Sequence, residues 1–265
     1  MFSGLSFGQY LPLGSVVHRL DPRTKLVLVL AGMSAVFLAR GWVSLVVAGA
    51  AVMGLALASR VGMRSYLRGI RSLWLLVALT ALLQMFLVPG TRLWSLGALA
   101  VTREGVAMAA FMVARLVLVF VLAQLLTFTT SPVALVDGSE RLLAPLRRLG
   151  LPAHEMAMVM TIALRFIPVL FEEADKIVKA QVSRGASFQA GGVRSRLQAL
   201  SSILVPLFVR AFQRSDELAL AMEVRCYQGG EGRTRMNRLC LQADDYVFLA
   251  AAAAVLVVVG VLTRT

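Results

Sequence analysis

The run Gly105–Phe128, GVAMAAFMVARLVLVFVLAQLLTF, decides how this chain is read: it is predominantly apolar, with a single charge, Arg115, and no acid. A helix crosses the hydrocarbon core of a bilayer with about 20 mostly apolar residues, and this run is long enough. Three similar runs precede it, Leu26–Leu38, Trp42–Ser59 and Leu73–Val88, and one follows, Tyr246–Leu262. The pattern predicts five spans. The first is entered through Arg23 and Lys25, lacks a small-residue cleavage site and is followed at once by another span, so it reads as a span rather than a cleaved signal. Trp42 stands where an interfacial anchor belongs. Across all 265 residues, 58% are hydrophobic and 15% charged, with a mean hydropathy of +0.79. A soluble domain has nowhere to hide that much apolar surface.

The net charge is +13, and 24 of the 27 basic residues are arginine. In a soluble protein this would point first to nucleic acid. Beside five apolar runs, it points instead to lipid phosphates of the inner leaflet and to acidic protein partners, with no nucleic acid. An amino terminus in the cytoplasm places 22 basic residues inside and four outside, the bias that orients membrane proteins. The carboxyl terminus then lies outside a bacterial-type inner membrane. Arg64, Arg68 and Arg71 fall at i, i+4 and i+7, on one face of a short helix that would meet phosphates. Cys226 and Cys240 form neither a disulfide framework nor a metal-type spacing. Two histidines, His18 and His154, are too few for a usual metal site, and no cofactor is expected.

The segment Thr129–Asp245 breaks the pattern, because it concentrates charge while remaining rich in Leu, Val, Met and Phe. That combination predicts amphipathic helices on or under the membrane. Met156, Val159, Met160, Ala163, Phe166, Ile167 and Leu170 recur at helical spacing. The same helix then turns charged, with Glu172–Lys176 and Asp175–Lys179 as i,i+4 pairs, and runs to Ser183-Arg184-Gly185, where the glycine can end it. A further amphipathic stretch, Leu197–Phe212, is interrupted by Pro206. Another helix is expected to begin at Ser215-Asp216-Glu217, a cap with an acidic first turn, and to end at Glu223-Val224-Arg225-Cys226. Each of the two long helices thus carries an arginine near its carboxyl end. The chain divides into a membrane domain, 1–128, a cytoplasmic domain of amphipathic helices, 129–245, and a last span, 246–265.

Nucleotide-binding and hydrolase signatures such as GxxxxGK[ST], HExxH and GxSxG do not occur, and no expected span holds an Asp or Glu, the usual mark of an ion path. Arg115 reads as a structural pair or a snorkelling side chain. The planar fork of an arginine suits bidentate bonding to carboxylates on a partner. Equally, Arg184 and Arg225 could offset the negative helix end or sit on a solvated face; helix physics leaves both uses open.

Phe7-Gly8-Gln9-Tyr10 and His18-Arg19-Leu20-Asp21-Pro22-Arg23-Thr24-Lys25-Leu26 resemble the opening of the transmembrane T-component of energy-coupling factor vitamin importers. Ala163-Leu164-Arg165-Phe166-Ile167-Pro168, Glu172-Glu173-Ala174 and Ala180-Gln181-Val182-Ser183-Arg184-Gly185-Ala186 are similar to that family's first coupling-helix region, and Ala219–Tyr227 to its second. The likeness runs from about residue 7 to the last span. It implies an all-α polytopic scaffold whose two Ala-Arg-Gly motifs end long cytoplasmic helices, each arginine docking on one of two ABC-type ATPase subunits. A separate substrate-binding membrane subunit, the S-component, would complete the importer. Carried over, the motifs are Ser183-Arg184-Gly185 and Val224-Arg225-Cys226, with Ser183 and Val224 in place of alanine and Cys226 in place of glycine.

Asp21-Pro22-Arg23 reads as a pre-proline stop and helix start, with an anchor against the coupling helices as the alternative. Arg165 and Pro168 belong to a segment where the proline is expected to kink the helix. Ala50, Gly54 and Ala58 have the small-xxx-small spacing of close packing inside the bundle, and Met156, Met158, Met160 and Met222 read as core filling, with an adaptable surface for exchanging partners as the alternative. The resemblance implies a non-catalytic chain serving vitamin uptake, or alternatively a dedicated cobalt or nickel ion importer. A stand-alone carrier would show inverted repeats and broken polar helices, which the sequence lacks. An enzyme would have only Asp137, Glu140, Glu155 and His154 to work with, and these read as loop and cap residues.

Overall fold

A computed structural model describes residues 10–11, 13–96, 99–145, 152–185, 193–229 and 240–264. In chain order the elements are α1 (Val16–Arg19), α2 (Pro22–Leu38), α3 (Trp42–Ala58), α4 (Met63–Ser72), α5 (Trp74–Leu87), β1 (Arg92–Leu96) and β2 (Leu99–Thr102). They continue with α6 (Arg103–Thr129), α7 (Pro132–Leu143), α8 (Ala153–Ser183), α9 (Val193–Val224) and α10 (Ala243–Leu262). The protein is all-α apart from the small antiparallel hairpin β1–β2, which the sequence reading did not anticipate. The described residues form two compact units, one from 8–139 with 238–265 and one from 140–237.

In the first unit every expected span is helical. Helices α6, α8 and α10 are long and apolar enough to cross a membrane, and α4 with α5 make a fourth candidate bent by 62°. At 17 residues each, α2 and α3 are at the short end of what spans a bilayer. Of the helices expected beneath the membrane, α8 meets the length and composition of a span. Only its first half is apolar, because Glu172, Glu173, Asp175, Lys176 and Lys179 load the second. The chain is a multi-pass helical membrane protein.

The core of this unit is built by α2, α3, α6 and α10 around Val36, Leu122 and Val259, all fully buried. Lipid tails are as apolar as leucine, so close packing rather than water exclusion holds such helices together. The face of α3 that packs inward carries Ser44, Leu45, Ala48, Val52 and Ala56, whereas Ala50, Gly54 and Ala58 are exposed. The small-residue stripe is therefore not the internal contact. Two residues along a helix turn the chain by about 200°, so the stripe at 50, 54 and 58 faces away from the one at 48, 52 and 56.

Local signals set the helix ends. Asp21 is the N-cap of α2, its carboxylate accepting from Arg23 N at 3.0 Å, with Pro22 at the first helical position. Arg115 donates to the carbonyl of Ala39, the C-cap of α2, and its guanidinium lies 4.8 Å from the Phe111 ring centre. The charge inside the span thus closes a helix carboxyl end, where a cation is favoured. Trp42 packs edge-on against the same Phe111 at 5.4 Å.

Candidate functional site: two arginine-tipped helices

The second unit contains the two arginine motifs. Gln181 Nε2 donates to the Ser202 carbonyl at 3.3 Å, Arg210 Nε lies 3.6 Å from Glu173 Oε1, and Met158 and Ile162 share a groove with Leu218 and Met222. Residues late in α8 thus meet residues early in α9, and the reverse. The two helices form an antiparallel hairpin. Its long arm, α9, has 32 residues, and at 1.5 Å per residue measures about 48 Å.

Sequence reasoning placed a helix start at Ser215. Instead α9 is continuous from Val193 to Val224, with Pro206 inside it. The Arg214–Glu217 ion pair (3.6 Å) bridges the expected break, and contact with α8 holds the helix through a cap signal that would act only on an isolated segment. In α8 the helix likewise continues through Pro168. Arg165, one turn earlier, is exposed and makes no ion pair with a described residue. The Asp175–Lys179 pair forms at 2.7 Å, but Lys176 pairs with Glu173 at i,i+3 rather than with Glu172. The hydrogen bond from Lys179 holds the Asp175 carboxyl below the usual range.

The two helices end alike. Ser183 closes α8, Arg184 is its C-cap, and Gly185 has φ +86° and donates to the Val182 carbonyl at 2.9 Å. Val224 closes α9, and Cys226 has φ +55°. Cys226 N donates to the Glu223 carbonyl at 2.8 Å and Tyr227 N to the Met222 carbonyl at 3.0 Å. These are the two bonds of a Schellman ending, which requires a left-handed residue directly after the cap. In each motif the third residue, glycine or cysteine, occupies that left-handed position, and the arginine stands just before it.

All six motif residues are exposed, and neither arginine pairs with a described acid. The hairpin therefore presents one unpaired guanidinium at each of two helix ends. Near Arg225 the groove between the helices encloses about 480 Å³ and is lined by Met158, Ile162, Leu218 and Met222. Sequence reading missed this groove. Its signal was available, since Met158 and Ile162 on one helix, and Leu218, Met222 and Arg225 on the other, follow i, i+4, i+7 spacing. Met156 and Met160 are about half exposed rather than core filling. Among the remaining polar candidates, His154 Nδ1 and Glu140 Oε1 pair at 2.9 Å.

In the first unit, Asp21 and Arg23 lie at a buried junction that the sequence only partly revealed. Asp21 N donates to Asp245 Oδ1 at 2.9 Å, and Gln242 N donates to Asp245 Oδ2 at 2.7 Å. Lys25 Nζ donates to the carbonyls of His18 and Thr129, each at 2.9 Å. Arg23 Nε stands 3.8 Å from Asp21 Oδ1. The junction ties the start of α2 to the end of α6 and the start of α10.

A multi-pass helical bundle and a long amphipathic hairpin with an exposed arginine at the carboxyl end of each helix define a class: polytopic all-α membrane proteins. Comparison with known proteins is specific. The family model CbiQ, described as cobalt transport protein, matches residues 14–236. The energy-coupling factor transporter transmembrane protein EcfT of Thermosediminibacter oceani is 46% identical over 98% of both chains. Proteins of the same name from Acidaminococcus fermentans and Thermanaerovibrio acidaminovorans are 50% and 51% identical, each over 92% of this chain and 91% of their own. The chain belongs to the family of energy-coupling factor transporter transmembrane proteins.

Proposed function

We propose that this chain is the coupling subunit of an ATP-driven importer, with Arg184 and Arg225 each docking on one of two ABC-type ATPase subunits. The observation that carries this reading is the pair of exposed arginines, neither paired with a described acid, each followed by a left-handed residue at a helix end of one antiparallel hairpin. Two equivalent contacts on one rigid lever suit two equivalent partners. Each guanidinium offers a bidentate fork that stays charged at physiological pH, and the left-handed residue behind it turns the backbone away. The apolar faces of α8 and α9, including Val159, Phe208 and Phe212, are exposed and would bear on the S-component or the membrane. Movement of the ATPases on nucleotide binding and hydrolysis would shift the hairpin between two states with different contacts in each. The bonds broken lie in the partners, and this chain transmits motion.

The hairpin then belongs on the cytoplasmic side with the amino terminus, and the carboxyl terminus lies outside, as the distribution of basic residues favours. The cargo is bound by the S-component. A vitamin or related micronutrient is the reading the opening motif supports; the description of the matching family favours cobalt as the second. Charge reversal tests the docking. Arg184→Glu and Arg225→Glu should each reduce co-purification of the ATPases and transport by more than about tenfold, since breaking a buried interfacial charge pair costs about 2–5 kcal/mol. Unchanged co-purification and uptake in both variants would remove the assignment.

A further inference from the structure

We infer that the cleft between α4 and α6 binds one anionic phospholipid, with phosphatidylglycerol the best match. Its residues belong to the first unit, and none of them is in the hairpin. Its polar recess encloses about 440 Å³ and is lined by Ser65, Arg68, Gly69, Ser72, Gln124 and Phe128. Arg68 is exposed and, like Arg64 and Arg71 on the same helix, pairs with no described acid.

Gln124 supplies the second, independent observation. It is only 8% exposed, and its Oε1 has no hydrogen-bond partner. A buried amide oxygen left without a donor is costly, so its persistence in the recess points to a donor from a bound group. Gly69 makes room for it: a Cβ there would stand 1.4 Å from Gln124 Nε2.

The surroundings identify the ligand as a lipid rather than a free phosphate. Directly beside the recess lies an apolar groove of about 190 Å³ lined by Ile70, Leu73, Leu76, Val77, Leu116 and Phe120. Polar and apolar clefts follow one another along the chain, Gly69 to Ile70 and Ser72 to Leu73, as headgroup and acyl chain do. Gln124 is five residues before the end of α6 at Thr129, about 7.5 Å along the axis, which is headgroup depth. At Leu73 the chain bends by 62° from α4 into α5, taking the basic helix out of line with the span.

The recess also selects the headgroup. A guanidinium grips phosphate bidentately, and the Ser65 and Ser72 hydroxyls can add donors. Gln124 Oε1 needs a donor from the ligand, which a glycerol hydroxyl supplies and choline does not. The ammonium of ethanolamine could donate too, but it would sit beside the Arg68 guanidinium, a like charge.

The test uses the complete transporter, purified in mild detergent, stripped of lipid and titrated with phosphatidylglycerol, phosphatidylethanolamine or phosphatidylcholine. Bound lipid is counted by native mass spectrometry. One phosphatidylglycerol should be retained at roughly tenfold lower concentration than the other two, as one added charge-assisted contact allows. Arg68→Gln and Gln124→Leu should each erase that preference, while Arg71→Gln, which removes the same charge outside the recess, should keep it. Should Gln124→Leu fail to fold, Gln124→Glu preserves size and should repel the phosphate. Equal retention of the three lipids, or equal effects of Arg68→Gln and Arg71→Gln, would overturn the site. Glycerol 3-phosphate binding as tightly as the lipid would reassign it to a water-borne phosphate.

Discussion

At Cys226 the backbone takes φ +55°, a conformation that costs an L-residue about 1–2 kcal/mol and glycine almost nothing. The helix end is therefore strained at the position where the other motif has glycine. Cys226→Gly should stabilise the ending by about 1 kcal/mol and slow amide exchange at Tyr227 roughly fivefold, with ATPase co-purification retained. Cys226→Val, β-branched and ill suited to this region, should speed exchange there and weaken co-purification. Another residue sets a pH response. His18 lies 2.7 Å from Ser15 Oγ through Nδ1 and 2.8 Å from the Leu11 carbonyl through Nε2. Burial, aided by the nearby Lys25 charge, lowers its pKa from the ordinary 6.5. The unfolded chain then binds the proton more readily, so stability is held above pH 6.5 and declines as pH falls through that value. Amide exchange over residues 15–20, corrected for intrinsic rates, should quicken between pH 7.5 and 5.5. His18→Asn should flatten that dependence, and a flat wild-type profile would contradict it.

At the scale of elements, the buried carboxylate of Asp245 holds two of them together, since it is fully buried and accepts from both Asp21 N and Gln242 N. Asp245→Ala leaves the buried Asp21 N–H unpaired and releases the exposed Gln242 N–H to solvent, and should destabilise the bundle by about 1–3 kcal/mol, read as a lower melting midpoint in detergent. Asp244→Ala, the adjacent acid, serves as the control and should change it little. Element starts and stops were legible wherever their signals were local: Asp21-Pro22 at the start of α2, Ser183-Arg184-Gly185 at the end of α8. The start of α9 was misread because Ser215-Asp216-Glu217 is a good cap only for a free segment. With α8 packed alongside, continuing the helix keeps the backbone bonded. The packing stripe of α3 was misplaced for a related reason: small residues occur on both faces, and only the neighbouring helices show which one is covered.

Across the whole molecule, exposed apolar side chains that would be a liability in water have a use on each unit. On α5 and α10 they include Leu75, Leu79, Val247 and Val257, which suit lipid, and on the hairpin Val159, Phe208 and Phe212, which under the proposed function would meet partners or the membrane. Hydropathy and charge spacing were sufficient by themselves for an all-α, multi-pass chain with long amphipathic helices, because a bilayer requires continuous apolar runs and every backbone group bonded within its own helix. The same local logic placed Arg184 and Arg225 at helix ends. Tertiary structure alone decided the rest. It made α8 and α9 an antiparallel hairpin, so that the two arginines mark two helix ends rather than one patch. It brought Asp245 to Asp21 across 224 residues, and Gln124 to Gly69 across the α4–α6 cleft. Such pairings depend on which helix faces which, and the period of a single helix carries no information about its neighbour.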